Sequence, residues 1–256
     1  MILAIETATS ACSAAVVAAD GALVAQRIED EGPAHTQRLL PFVHEVLGEA
    51  GVTLGELDAV VCGLGPGAYT GMRIGVATAR ALAQASGLRL AGAPTLAAVA
   101  LALAADTRPG TGAMFGTEAG VAAKPDAPLV ALLDGKRREL FAGVFRAADA
   151  TPGSLTELVP LAVVAADDLA GFLGHWPDAV VGGDGALLYA ERLPADVTLA
   201  VHTAPPTAAM VGRAWLAGVP GAVEGFDRVL PVYGRAPDAV RWQVRCGAAP
   251  GAKGAS

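Results

Sequence analysis

The chain has 256 residues, 53% of them hydrophobic and 17% charged, with a mean hydropathy of +0.47. That is ample for a sizeable core, in one large domain or two small lobes. A formal charge of −7 argues against a protein that grips nucleic acid unaided, since the densest basic run is Lys136-Arg137-Arg138 and Arg235, Arg241 and Arg245 are scattered. Cys12, Cys62 and Cys246 are odd in number and lack a CxxC spacing, as expected of reduced packing residues in a cytoplasmic protein. The start, Met1 to Glu6, has no basic leader and is not expected to be a signal peptide; the apolar run from Leu96 to Ala105 is far short of the ~20 residues of a membrane span. A soluble protein is expected.

In chain order, residues 2–6 read as a strand and Thr7 to Ser10 as a polar turn. Residues 12–19 and 22–28 read as strands joined at Asp20-Gly21, the clearest hairpin signal. Leu39, Phe42, Val43, Val46 and Leu47 fall on one face of a helix that ends near Gly51, with Pro41 bending it or marking its first turn. A strand at 57–62, a glycine-rich helix at 70–86 opened by Thr70, a strand at 89–91 and a helix at 95–105 follow. Residues 107–127 lose all periodicity and read as a flexible insertion.

The same order then returns, with strands at 129–133, 139–145 and 158–164, a helix at 167–174, a strand at 179–181, a helix at 186–193, a strand at 197–201 and a helix at 207–217. Two passes of this order predict an α/β fold of two ribonuclease-H-like lobes, each of βββαβα type. The first lobe is expected over 1–106, with a possible contribution from 205–240, and the second over 128–204; a tail at 247–256 is expected to be disordered.

Gly63 to Gly75 holds the densest glycine cluster. Gly71 and Gly75 fall four residues apart inside the helix, and Ala79 and Ala83 continue their stripe. Each such glycine costs ~1 kcal/mol relative to alanine, so something must approach that face closely: another part of this chain, or a partner. Gly63-x-Gly65-x-x-Ala68 formally fits a dinucleotide fingerprint, but Pro66 interrupts it and no acidic residue stands ~20 positions on. Glu6 and Asp134 each end the first strand of a lobe, where two-lobed nucleotide-binding folds place a carboxylate, and Gly183 follows a strand in Gly182-Gly183-Asp184-Gly185. They are weak candidates for nucleotide contact, with strand-end polar residues and a plain turn as the alternative. His35, His44, His175 and His202 form no paired metal-ligand spacing, and no catalytic constellation is visible.

Ile2 to Thr9, His35 to Pro41, Gly65 to Gly75, Asp134 to Arg138, Val181 to Gly185 and Pro231 to Arg235 together resemble the TsaB (YeaZ) family, over nearly the whole chain apart from 107–127 and the tail. The resemblance implies a two-lobed actin/hexokinase/Hsp70-like fold. It also implies a non-catalytic role in making N6-threonylcarbamoyladenosine beside the anticodon of tRNA. The implied partners are TsaD, the catalytic paralogue with a His-x-x-x-His metal motif that this chain lacks, and TsaE, an ATPase. Homodimers are known in the family, tRNA would be met only through the complex, and ATP/ADP would be used by the complex with no cofactor held by this chain. The first-lobe helices, about 36–50 and 70–86, would pair with those of TsaD. Leu39, Phe42 and Val43 would then be apolar anchors beside a close-approach stripe of Gly71, Gly75 and Ala79, with Arg73 at the rim. The alternative is that both helices simply cover their own sheet. A different class of reading is an independent phosphotransferase of that fold or a glycoprotease-like metallopeptidase.

Overall fold

The computed structural model describes residues 1–30, 35–107, 124, 126–147, 154–200 and 205–234. Most of the insertion expected at 107–127, all of the tail at 247–256, and His202, Arg235, Arg241, Arg245 and Cys246 lie outside the described residues.

The first pass of elements is β1 (Ile2–Glu6), β2 (Cys12–Val17), β3 (Leu23–Glu29), α1 (His35–Ala50), β4 (Ala59–Gly63), α2 (Tyr69–Ser86), β5 (Arg89–Ala93) and α3 (Thr95–Asp106). The second is β6 (Leu129–Asp134), β7 (Glu139–Ala147), β8 (Leu155–Ala165), α4 (Leu169–Leu173), β9 (Val180–Gly182), α5 (Asp184–Leu188), β10 (Thr198–Ala200) and α6 (Ala208–Leu216). The expected order therefore holds twice. The sheets run β11-β5-β4-β1-β2-β3 and β10-β9-β6-β7-β8, where β11 is the short strand Val223–Glu224. In both, the first three strands are antiparallel neighbours and the next two add in parallel on the other side of the first, which is the ribonuclease-H strand order.

Local chemistry accounts for most boundaries. Asp20-Gly21 turns the β2–β3 hairpin, with Gly21 at φ 86 and the Ala22 amide donating to Asp20 Oδ1 at 3.0 Å. Gly87 ends α2 in the left-handed region at φ 66. Thr70 is not the helix cap: α2 begins one residue earlier, with Ala68 as its cap and no side-chain hydrogen bond there. The helices expected at 167–174 and 186–193 are each split into an α-turn and a 3-10 turn. β11 was not foreseen, because two residues pairing antiparallel with Ala91 and Gly92 carry no readable period.

The core lies in three apolar layers. α1 and α2 cover one face of the first sheet, where Leu39, Phe42, Val43, Val46, Val76, Ala79 and Ala83 meet Leu3, Ile5, Val60 and Cys62. α3 and α6 fill the space between the sheets, against Ala4 and Val61 on one side and Leu129, Ala131 and Phe141 on the other. α3 is apolar all round because it is enclosed all round. Phe172, Leu173 and Ala186 of α4 and α5 close the far face of the second sheet.

Candidate helical face and interlobe cleft

The glycines of the 63–75 stretch answer to this chain's own turn. β1 runs into Thr7 to Ser10, and α2 crosses directly over that turn. Thr7 Oγ1 donates to the Gly71 carbonyl at 2.9 Å, and a Cβ at Gly75 would run into the same Thr7 Oγ1. A Cβ at Gly67 would meet the Ala8 carbonyl, which accepts from the Ala68 amide at 2.6 Å. Gly71, Gly75 and Ala79 are buried, and Leu39, Phe42 and Val43 are 1–4% exposed on the inner face of α1. The expectation that these six form a partner surface is therefore corrected: they pack inward, because the turn after β1 fills the room the missing side chains leave. Arg73 alone of the seven is exposed.

The outward faces carry a different set. On α1, Gln37, Leu40, Pro41, His44 and Gly48 are exposed, with Leu40 at 57%, and so are Arg38, Glu45 and Glu49, which pair with Glu29 and Arg27 of β3. On α2, Thr70, Arg73, Ala77, Ala81 and Gln84 are exposed at spacings of three and four, so they share one stripe, with Tyr69 at its start, 55% exposed. α2 contains no Asp or Glu, and Arg73 and Arg80 are its only cations. A solvated helix face usually carries mixed charge; this one carries an aromatic and an arginine in its first turns and then only the uncharged Ala77, Ala81 and Gln84. The helical period that marked the glycine stripe also defines this complementary stripe, and its freedom from acidic residues was the available signal.

Glu6 lies fully buried at the end of β1. Its Oε1 accepts from the Thr7 and Ala8 amides, both at 2.6 Å, and its Oε2 accepts from Thr95 Oγ1 at 2.7 Å. A Cβ at Gly63 would strike the carboxylate. Burial raises the Glu6 pKa against the lowering effect of those three hydrogen bonds, and the Asp184 charge adds to the rise. The carboxyl thus ties β1 to the start of α3. This corrects the expectation that Glu6 faces a nucleotide, since solvent does not reach it.

In the second lobe, Asp134 is partly exposed and takes Lys136 on both oxygens, the amide at 2.8 Å on Oδ1 and Nζ at 2.7 Å on Oδ2. Asp184 accepts from the Asp134 and Gly185 amides at 3.2 and 3.0 Å; burial, with the Asp134 charge, pushes its carboxyl up to about 6. Gly183 sits at φ 100 against the Leu132 carbonyl, so close strand packing accounts for that glycine. Among the described residues no three His, Cys, Asp or Glu side chains converge as metal ligands. Cys12 and Cys62 are buried and their thiols are pushed up to about 11 and about 12, as suits packing residues. No helix among the described residues is long and apolar enough to cross a membrane.

Comparison with known proteins agrees with this architecture. The family model described as TsaD: tRNA N6-adenosine threonylcarbamoyltransferase matches residues 29–172, more than half of the chain. A protein named tRNA threonylcarbamoyladenosine biosynthesis protein TsaB from Escherichia coli is 43% identical over 99 residues, 39% of this chain and 42% of that protein. An uncharacterized protein from Mycobacterium leprae is 43% identical over 110 residues, 42% of this chain and 31% of its own length. The chain thus spans less than half the length of these curated relatives in the matched regions. The solved structure of YeaZ from Pseudomonas aeruginosa superposes with a TM-score of 0.65 at 28% identity, covering 91% of this chain and 99% of that one. On the two sheets and these matches, the chain belongs to the family described as TsaD: tRNA N6-adenosine threonylcarbamoyltransferase, among its TsaB (YeaZ) members.

Proposed function

We propose that this chain is a non-catalytic subunit in the synthesis of N6-threonylcarbamoyladenosine in tRNA, and that it docks on a TsaD-type paralogue through the outward faces of α1 and α2. The observation that carries the reading is the exposed, uncharged stripe of Thr70, Ala77, Ala81 and Gln84, with Tyr69 and Arg73 at its N-terminal end and Leu40 on α1 beside it. Small residues let a facing helix approach closely, and Tyr and Arg are the side chains that most often anchor an interface. Family membership supplies the partner class. The net charge of −7 fits a protein that meets tRNA through its complex, with ATP handled by a TsaE-type ATPase. A second copy of the chain could use the same face when no paralogue is present. The phosphotransferase reading loses support, because the carboxylate it needs at Glu6 is committed to internal donors.

Reconstitution tests the proposal. A TsaD-type enzyme, a TsaE-type ATPase, threonylcarbamoyl-adenylate and tRNA should give modified tRNA efficiently only when this chain is added, and the chain alone should give none. Equal modification with and without it would overturn the reading.

A further inference from the structure

After β11 the chain forms an irregular strap over residues 225–234, laid along α2. Arg80 Nη1 donates to the Phe226 carbonyl and, at 3.3 Å, to the Val229 carbonyl, and Val229 is fully buried beneath. The Val232 amide donates to the Leu64 carbonyl at 2.7 Å. At the other end of α2, Arg73 Nε donates to the Tyr233 hydroxyl at 3.0 Å, and its guanidinium lies 4.0 Å above the Tyr69 ring. The Tyr69 and Tyr233 rings are themselves in contact, 5.0 Å apart, so the cation, the Tyr69 ring and the Tyr233 ring with its hydroxyl close a three-membered cluster. The next residue, Gly234, lies so close to the Phe141 ring that a Cβ there would overlap it. Phe141 belongs to β7, is 4% exposed, and is part of the apolar layer between the sheets.

The strap is thus fastened to α2 on the first lobe and seated on β7 of the second. α3 and α6 already join the lobes by apolar packing, which is non-directional and tolerates small shifts. The strap adds a further tie between the lobes, directional where Arg73 holds Tyr233 and steric where Gly234 meets Phe141, and Phe141 pairs with Leu133, the neighbour of Asp134. We propose that the clasp of Arg73 with Tyr69 and Tyr233 fixes the posture of the second lobe relative to the first, through the seat of Gly234 on Phe141. A perturbation at the exposed start of α2 is thereby transmitted to the cleft. The inference concerns the free chain and stands apart from the choice of partner.

The test is a distance distribution between spin labels, one on each lobe, in the full chain. Labels go on Gly48→Cys, where a Cβ meets open space, and on exposed Leu188→Cys, with Cys246→Ser removing the third thiol outside the buried pair. Arg73→Gln should broaden the interlobe distribution and speed amide exchange over 226–234 about tenfold, from the loss of the guanidinium's hydrogen bond to Tyr233 and its contacts with the two rings. Gly234→Leu, which disturbs the seat and leaves the clasp residues in place, should broaden it likewise. Tyr233→Phe removes only the hydroxyl and gives a smaller change of the same sign, which keeps the test open should a stronger variant fail to fold. Exchange that rises over 226–234 while the distance distributions superimpose would overturn the coupling, and so would variants unchanged in both.

Discussion

Gly75→Leu should lower the stability of the isolated chain by about 3 kcal/mol, with the melting temperature falling by about 10 °C. The helix cannot move away, because the Gly71 carbonyl four residues before is hydrogen-bonded to Thr7 Oγ1, the group that the new side chain would strike. The damage is local to that contact. Gly75→Ala combined with Thr7→Ala should therefore cost less than the sum of the two single changes, since the colliding hydroxyl has gone. Thermal melting and denaturant titration read both effects. An unchanged melting temperature for Gly75→Leu would mean that this face of α2 is open, and the inward assignment of the glycine stripe would fail.

Glu6→Ala is the other large expected effect, on the order of 4 kcal/mol. It leaves the Thr7 amide, the Ala8 amide and the Thr95 hydroxyl in a dry interior without their acceptor. Glu6→Gln should be far milder. The amide oxygen can still accept from Thr7 and Ala8, and Thr95 can turn its hydroxyl to accept from the new NH₂. If Glu6→Ala melted like the unaltered chain, the carboxyl would not be the tie described, and a role for it toward a ligand would regain its footing.

Much of the fold was legible because its signals are local. The short apolar runs, the Asp20-Gly21 turn and the Gly87 stop each act within a few residues, and the repeated element order follows from them. The site was only half legible. Periodicity showed that Leu39, Phe42 and Val43 share a face and that Gly71 and Gly75 share another, but a period cannot say which face points inward. That is decided by Thr7, 64 residues before Gly71, and nothing near α2 announces it. For Glu6 the sequence left two readings open for the same reason, as its partner Thr95 is 89 residues away. Arg73 is exposed, while its clasp with Tyr233 spans 160 residues and left no local trace.

The most direct test of the central claim is the affinity of the chain for a TsaD-type paralogue, measured by titration calorimetry with unaltered protein and with Ala77→Glu and Ala81→Glu. Both alanines are exposed on α2, and neither contributes to the described core. Each new carboxylate would be buried unpaired in the proposed contact, so binding should weaken about 100-fold while circular dichroism and melting stay as they were. Affinity that holds in both variants would contradict the docking of a partner on this face.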